Sequence, residues 1–115
     1  MGDIEERMER GITCKVEGRY EEAIAELKAV LCIDDCHCGA HRQLGLVYGF
    51  TGMFDESIEE LKRAAELDPQ NLEVMNDLAM SYAMLGMYDE AKAGFLAVLE
   101  LDPSNDTARK QLAYF

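Results

Sequence analysis

Apolar side chains recur along this chain at spacings of i, i+3, i+4 and i+7. Leu44, Val47 and Tyr48 form one such set, and Leu78, Tyr82 and Leu85 another. That spacing places them on one face of a helix. A second helical pattern follows each set, carried by Ile58, Leu61, Ala65 and their counterparts. Between the two stand Gly52 and Gly86, which end the first helix where a left-handed residue is needed. Asp-Pro at 68–69 and 102–103 ends the second. Proline lacks an amide donor and disfavours helix in the residue before it. The predicted elements are therefore pairs of helices of about 14 residues each.

The pairs repeat with a period of 34 residues. Glu66-Leu67-Asp68-Pro69 returns as Glu100-Leu101-Asp102-Pro103, Tyr48 as Tyr82, and Gly52-Met53 as Gly86-Met87. One period earlier, Gly18, Tyr20, Glu21-Glu22 and Asp34 occupy the matching columns. A single all-α domain over 1–115 is expected, with repeats at 4–37, 38–71 and 72–105. Two helices of this length cannot bury an apolar face alone, so neighbouring units must stack. Ser104-Asn105-Asp106 then opens a partial capping helix over 106–115, with an N-cap and an acid in its first turn. Ala108, Leu112 and Ala113 are expected to pack on the preceding repeat. The apolar ending Tyr114-Phe115 suggests either a domain cut from a longer protein or an end that meets another copy.

Composition narrows the function. In 115 residues, 49% are hydrophobic and 30% charged, which is globular rather than disordered. The net charge of −12 argues against nucleic acid, whose phosphates need Lys and Arg. No apolar run is long enough to cross a bilayer, and Met1-Gly2-Asp3-Ile4-Glu5-Glu6 does not open a signal peptide. A soluble cytoplasmic protein with no membrane insertion is expected.

Cys32, Cys36, His37, Cys38 and His41 lie within ten residues of one another. Thiolate and imidazole donors at short spacing suit zinc or copper. The spacing is not a familiar zinc motif, however, and is one residue away from the Cys-x2-Cys-His haem attachment form. The repeat frame explains the segment without metal, since Cys32 aligns with Glu66 and His41 with Met75. The expectation is no cofactor and no metal, with Cys36 and Cys38 as exposed loop thiols open to oxidation. A metal- or redox-responsive module stays as an alternative. No enzyme is expected: both histidines sit in one turn with no serine nearby, and no Gly-rich phosphate loop occurs.

The chain resembles the tetratricopeptide repeat family. That pattern asks for a large residue, Leu, Gly or Ala, Tyr, then Gly, an aromatic, Ala, a large apolar residue, Ala and Pro. The third unit supplies Met75, Leu78, Ala79, Tyr82, Gly86, Tyr88, Ala91, Phe95, Val98 and Pro103. The second supplies His41, Leu44, Gly45, Tyr48, Gly52, Phe54, Ser57, Leu61, Ala64 and Pro69. The first is more polar, with Arg7 and Arg10 in apolar columns, as suits a terminal repeat facing water.

The resemblance implies a right-handed α-solenoid of three antiparallel helix pairs plus the partial cap. The first helix of each pair would line a concave groove that binds an extended or helical peptide of another protein. Its groove columns fall on Met8, Ile12, Lys15 and Val16 in the first unit. In the second they fall on Arg42, Leu46 and Phe50, and in the third on Asn76, Met80 and Met84. A subset of the family clamps the terminal carboxylate of chaperone tails with Lys and Asn. Here those columns read Met8, Ile12, Gln43, Glu73 and Asp77, whose two acids would repel a carboxylate. An apolar or amphipathic segment fits better, and methionine adapts to irregular partners. The expectation is a protein–protein interaction module, with homo-oligomeric assembly through the C-terminal end as an alternative.

Overall fold

Each pair of helices is closed by the same turn, and the turn is glycine's doing. Gly18, Gly52 and Gly86 have φ of 79°, 80° and 77°, a region where a Cβ is strained. Beyond each glycine the next amide reaches back over the helix end, as in Met53 N to Tyr48 O at 2.8 Å and Met87 N to Tyr82 O at 2.9 Å. That bond satisfies a carbonyl the helix leaves open.

The computed structural model describes residues 2–115. In them, α1 (Gly2–Val16) pairs with α2 (Tyr20–Ile33), α3 (Cys38–Phe50) with α4 (Phe54–Leu67), and α5 (Leu72–Met84) with α6 (Tyr88–Leu101). A short α7 (Asp106–Leu112) packs on α6. The pairs stack in chain order, α2 on α3 and α4 on α5, into an elongated body of 40 × 26 × 20 Å. The architecture is an all-α solenoid, and none of these helices is long and apolar enough to cross a membrane.

The turns between repeats share a second device. His37, Asn71 and Asn105 cap α3, α5 and α7, each side chain accepting from the amide three residues on at 2.9, 3.1 and 3.0 Å. These residues stand 34 apart, with His37 Nδ1 in place of an Asn oxygen. Such a cap satisfies a free N–H and is worth about 1 kcal/mol.

Inside the pairs, the large core residues Leu27, Leu44, Leu61 and Phe95 are fully buried. Close approach depends on small residues opposite them. A Cβ on Gly11 would lie 2.9 Å from Leu27 Cγ, and one on Gly45 2.8 Å from Leu61 Cγ. The third pair keeps the same fit with the small partner on the other helix: Gly94 lies against Ala79.

The polar first repeat has a physical account. Arg7 and Arg10 both reach Glu26 of α2, at 3.1 and 2.8 Å. One period on, His41 Nδ1 meets Glu60 at 2.7 Å. The third repeat carries Met75 and Gly94 in those columns. Across-pair polar contacts thus stand where the last pair uses an apolar residue.

Two expectations need correction. Leu85 is exposed rather than on the core face, because it is the C-cap of α5, where the chain already turns toward Gly86. The capping helix stops at Leu112, leaving Ala113 exposed, and the chain continues in tighter turns, with Tyr114 N bonded to Gln111 O and Phe115 N to Leu112 O, that set Phe115 6.3 Å from the ring of Phe95 and 6.0 Å from that of Tyr88. The ring contacts with Phe95 and Tyr88 are tilted, the arrangement aromatic pairs favour.

Candidate protein-binding groove

α1, α3 and α5 lie side by side, and each presents two apolar residues one turn apart. Ile12, Leu46 and Met80 form a half-buried row. Val16, Phe50 and Met84 form an outer row, exposed to 76%, 60% and 63%. Both rows run at the 34-residue period, so helix periodicity and repeat stacking together build a ladder two residues wide.

Between α3 and α5 the ladder opens into a cavity of about 350 Å³. Leu46, Phe50, Met80 and Met84 line it, with Phe54 from α4 and Asp77 at one end. Gly49 leaves room, since a Cβ there would first meet Ser57 Oγ at 3.5 Å. Ser57 and Ser81, both buried, close the floor: Ser57 Oγ donates to Gly45 O at 2.7 Å and lies 3.2 Å from Ser81 Oγ. Their polar atoms are spent on each other and the backbone, which leaves the cavity largely apolar.

The charged residues of the groove neutralise one another. Arg42 Nε donates to Asp77 Oδ2 at 2.7 Å, and its Nη1 lies 2.8 Å from Glu73 Oε2. Lys15 Nζ donates to Gln43 Oε1 at 2.6 Å. Burial pushes the Asp77 carboxyl above its ordinary value even though Arg42 pulls the other way. Burial also pulls the Lys15 ammonium below its ordinary value, with Arg42 adding to the effect.

Ten residues were expected in the groove, and the structure distributes them unevenly. Ile12, Val16, Leu46, Phe50, Met80 and Met84 come together in the ladder, with Lys15 and Arg42 tied at its polar end. Met8 instead packs against the core that α1 and α2 share with α3. Asn76 is buried, and its Nδ2 donates to Asn105 Oδ1 at 3.2 Å beneath the start of α7. Packing demand from the neighbouring helix draws both inward. Sequence reasoning missed Phe54 and the serine floor. It also missed Tyr20, whose ring centroid lies 5.9 Å from that of Phe50. The aromatic column Tyr20, Phe54 and Tyr88 was the available signal.

Both histidines and Cys38 of the cysteine–histidine segment make structural contacts. His37 caps α3, and His41 engages Glu60 with Nδ1 and the carbonyl of Asp35 with Nε2 at 2.8 Å. Cys38 is the first residue of α3, not an exposed loop thiol, and its Sγ contacts Ala64 O at 3.4 Å. Burial pushes that thiol up. Cys32 and Cys36 are exposed. Among the described residues, the ligand-type atoms that cluster are those of Asp34, Asp35 and Cys36. At the far end, a second cavity of about 450 Å³ is lined by Ala83, Tyr88, Gln111, Tyr114 and Phe115.

Stacked helix pairs with capped turns and an open face formed by the first helix of each pair define an α-solenoid repeat protein. The sequence over 51–114 matches the family described as Tetratricopeptide repeat, and the chain belongs to that family. No curated protein gives a significant match. Solved structures share the fold. The Arabidopsis OM64 TPR domain is 18% identical with a TM-score of 0.92, covering 99% of this chain and 94% of that one. The first TPR of Spaghetti (RPAP3), bound to the HSP90 peptide SRMEEVD, is 21% identical with a TM-score of 0.93, covering 98% and 90%. The second TPR domain of human RPAP3, in complex with the HSP70 peptide SGPTIEEVD, is 24% identical with a TM-score of 0.90, covering 97% and 93%.

Proposed function

We propose that this chain is a protein-interaction module that takes an apolar or amphipathic segment of a partner in the groove over α1, α3 and α5. The observation that carries this reading is the two-row apolar ladder, whose outer row stays exposed while the core of the same helices is fully packed. A soluble surface rarely keeps large apolar groups aligned without use for them. Two structural neighbours hold acidic chaperone peptides. This groove is built for something else. Glu73 and Asp77 occupy columns where a carboxylate ligand needs cations, and Arg42 is already held by both. A further anion would have to break those pairs.

The test is capture of partners from the source cell's lysate by the wild type and by Phe50→Asp combined with Met84→Asp. Both side chains are exposed, so the variant keeps its helicity. A protein retained by the wild type and lost by the folded variant supports the groove. Equal capture by both would overturn it.

A further inference from the structure

We propose that the groove's occupant is one amphipathic helix, lying across α1, α3 and α5, apolar along one stripe and basic along the flank that faces the helix-pair turns. This rests on the groove reading above and adds the conformation and charge of the partner.

Spacing argues for the helix. Packed helices stand about 8–10 Å apart, so the rungs of the ladder follow one another at about that step. In an α-helix, residues i and i+7 share a face and stand about 10.5 Å apart. An extended strand returns to the same face every ~6.7 Å and drifts out of register with the rungs. A polyproline segment keeps a step of about 9.3 Å but offers one contact per turn. The ladder is two residues wide, Ile12 with Val16, Leu46 with Phe50 and Met80 with Met84. A stripe at i, i+4, i+7, i+11 and i+14 is likewise two residues wide.

Charge argues for the basic flank. Just past each turn the second helix begins with two acids: Glu21 and Glu22 in α2, Asp55 and Glu56 in α4, Asp89 and Glu90 in α6. All six are exposed, and five of them, Glu21, Asp55, Glu56, Asp89 and Glu90, have no ion-pair partner among the described residues, while Glu22 pairs with Arg19. They favour the helix dipole behind them, and each pair directly follows an aromatic at the apolar face: Tyr20 against Phe50, Phe54 in the groove cavity, and Tyr88 in the cavity beside Ala83. At the other end of the groove, Arg42 is balanced by Glu73 and Asp77. With Lys15 also attracted to Asp77, the groove's two cations and two acids cancel, so the uncompensated charge is the negative charge at the turn edge, where Lys or Arg on a partner would meet it.

The experiment uses the full chain and synthetic peptides of about two heptads with leucine at i, i+4, i+7, i+11 and i+14. One carries lysine on one flank, one carries glutamate there, and one is a scrambled isomer of the lysine peptide. Binding is read by fluorescence anisotropy and helix formation by circular dichroism. The ordered lysine peptide is expected to bind at least about tenfold tighter than the other two, to gain helicity, and to weaken with salt. Asp55→Asn, Glu56→Gln, Asp89→Asn and Glu90→Gln together should weaken it several-fold. Phe50→Ser with Met84→Ser, which leaves the net charge unchanged, should remove binding. Equal affinity for ordered and scrambled peptides, still lost in the serine variant, overturns the helix while leaving the groove reading intact. Equal affinity for the glutamate peptide overturns the basic flank. Binding that survives in the serine variant overturns the groove reading itself. Failure of the ordered peptide to bind at about 1 mM overturns the inference.

Discussion

Gly45 sits where α3 meets α4, behind the groove wall that carries Leu46 and Phe50. Replacing it with alanine sets two effects against each other. Alanine gains about 1 kcal/mol over glycine inside a helix. Its Cβ, however, would stand 2.8 Å from Leu61 Cγ, 3.1 Å from Leu61 Cδ2 and 3.2 Å from Ser57 O. Carbon atoms in good contact lie about 3.5–4.0 Å apart. Leu61 is fully buried and cannot swing away, and Ser57 O is backbone. The helices must separate, and with backbone and a fully buried side chain both in the way the cost falls in the upper part of the range for an overpacked site, about 2–3 kcal/mol. The clash wins: Gly45→Ala should lose about 1–2 kcal/mol net and lower the Tm by roughly 4–10 °C. The sign should reverse once the obstacle is gone. Leu61→Ala alone costs about 2–5 kcal/mol, and adding Gly45→Ala to it should recover about 1 kcal/mol. The coupling in the cycle is then about 2–3 kcal/mol. Urea and thermal unfolding followed by circular dichroism measure all four proteins. A neutral or stabilising Gly45→Ala in the wild type, or an undiminished loss beside Leu61→Ala, would refute the reasoning.

Other expectations follow from charge, thiol environment and backbone. Arg42→Gln removes a group that favours ionised Asp77, so the Asp77 carboxyl should titrate still higher by carbon NMR; no upward movement would contradict the pairing. The folded state binds that proton more tightly than the unfolded chain, so stability falls as pH rises from the ordinary aspartate value through the raised one. The loss caused by Arg42→Gln should therefore be larger above that window than below it. The hydrogen bond to Asp35 pushes the Cys36 thiol up, so Asp35→Asn should speed alkylation of Cys36 by iodoacetamide, as read by mass spectrometry; an unchanged rate would discard the contact. Gly52→Ala should cost about 1 kcal/mol through its positive φ alone, with no relief from Leu61→Ala, because a Cβ there meets nothing within 4 Å.

The helix pairs and their period were legible because they rest on local signals. Gly52 and Gly86 mark turns by their own conformational freedom, and Asp-Pro ends a helix wherever it stands. The apolar rows of the groove were legible for a related reason: position in a repeat fixes which face a side chain takes. What failed was any inference that depended on a neighbour. Asn76 occupies a groove column but is claimed by Asn105 of the next turn, and Met8 is claimed by the core its pair shares with α3. Leu85 continues a helical pattern that the glycine after it has already ended.

The cysteine and histidine segment shows the same distinction at closer range. Read alone, Cys36, His37, Cys38 and His41 form a run of metal donors. In the stack, each histidine takes a part that another residue type takes in a different repeat. His37 caps a helix as Asn71 and Asn105 do, and His41 reaches Glu60 across its pair as Arg7 reaches Glu26. Both are accounted for by comparing columns rather than neighbours in sequence. The outer groove row is different in kind. Val16, Phe50 and Met84 meet no equivalent structural demand, since the cores beneath them are closed without them. Large apolar groups held in register and exposed across three repeats are what the proposed partner segment would cover.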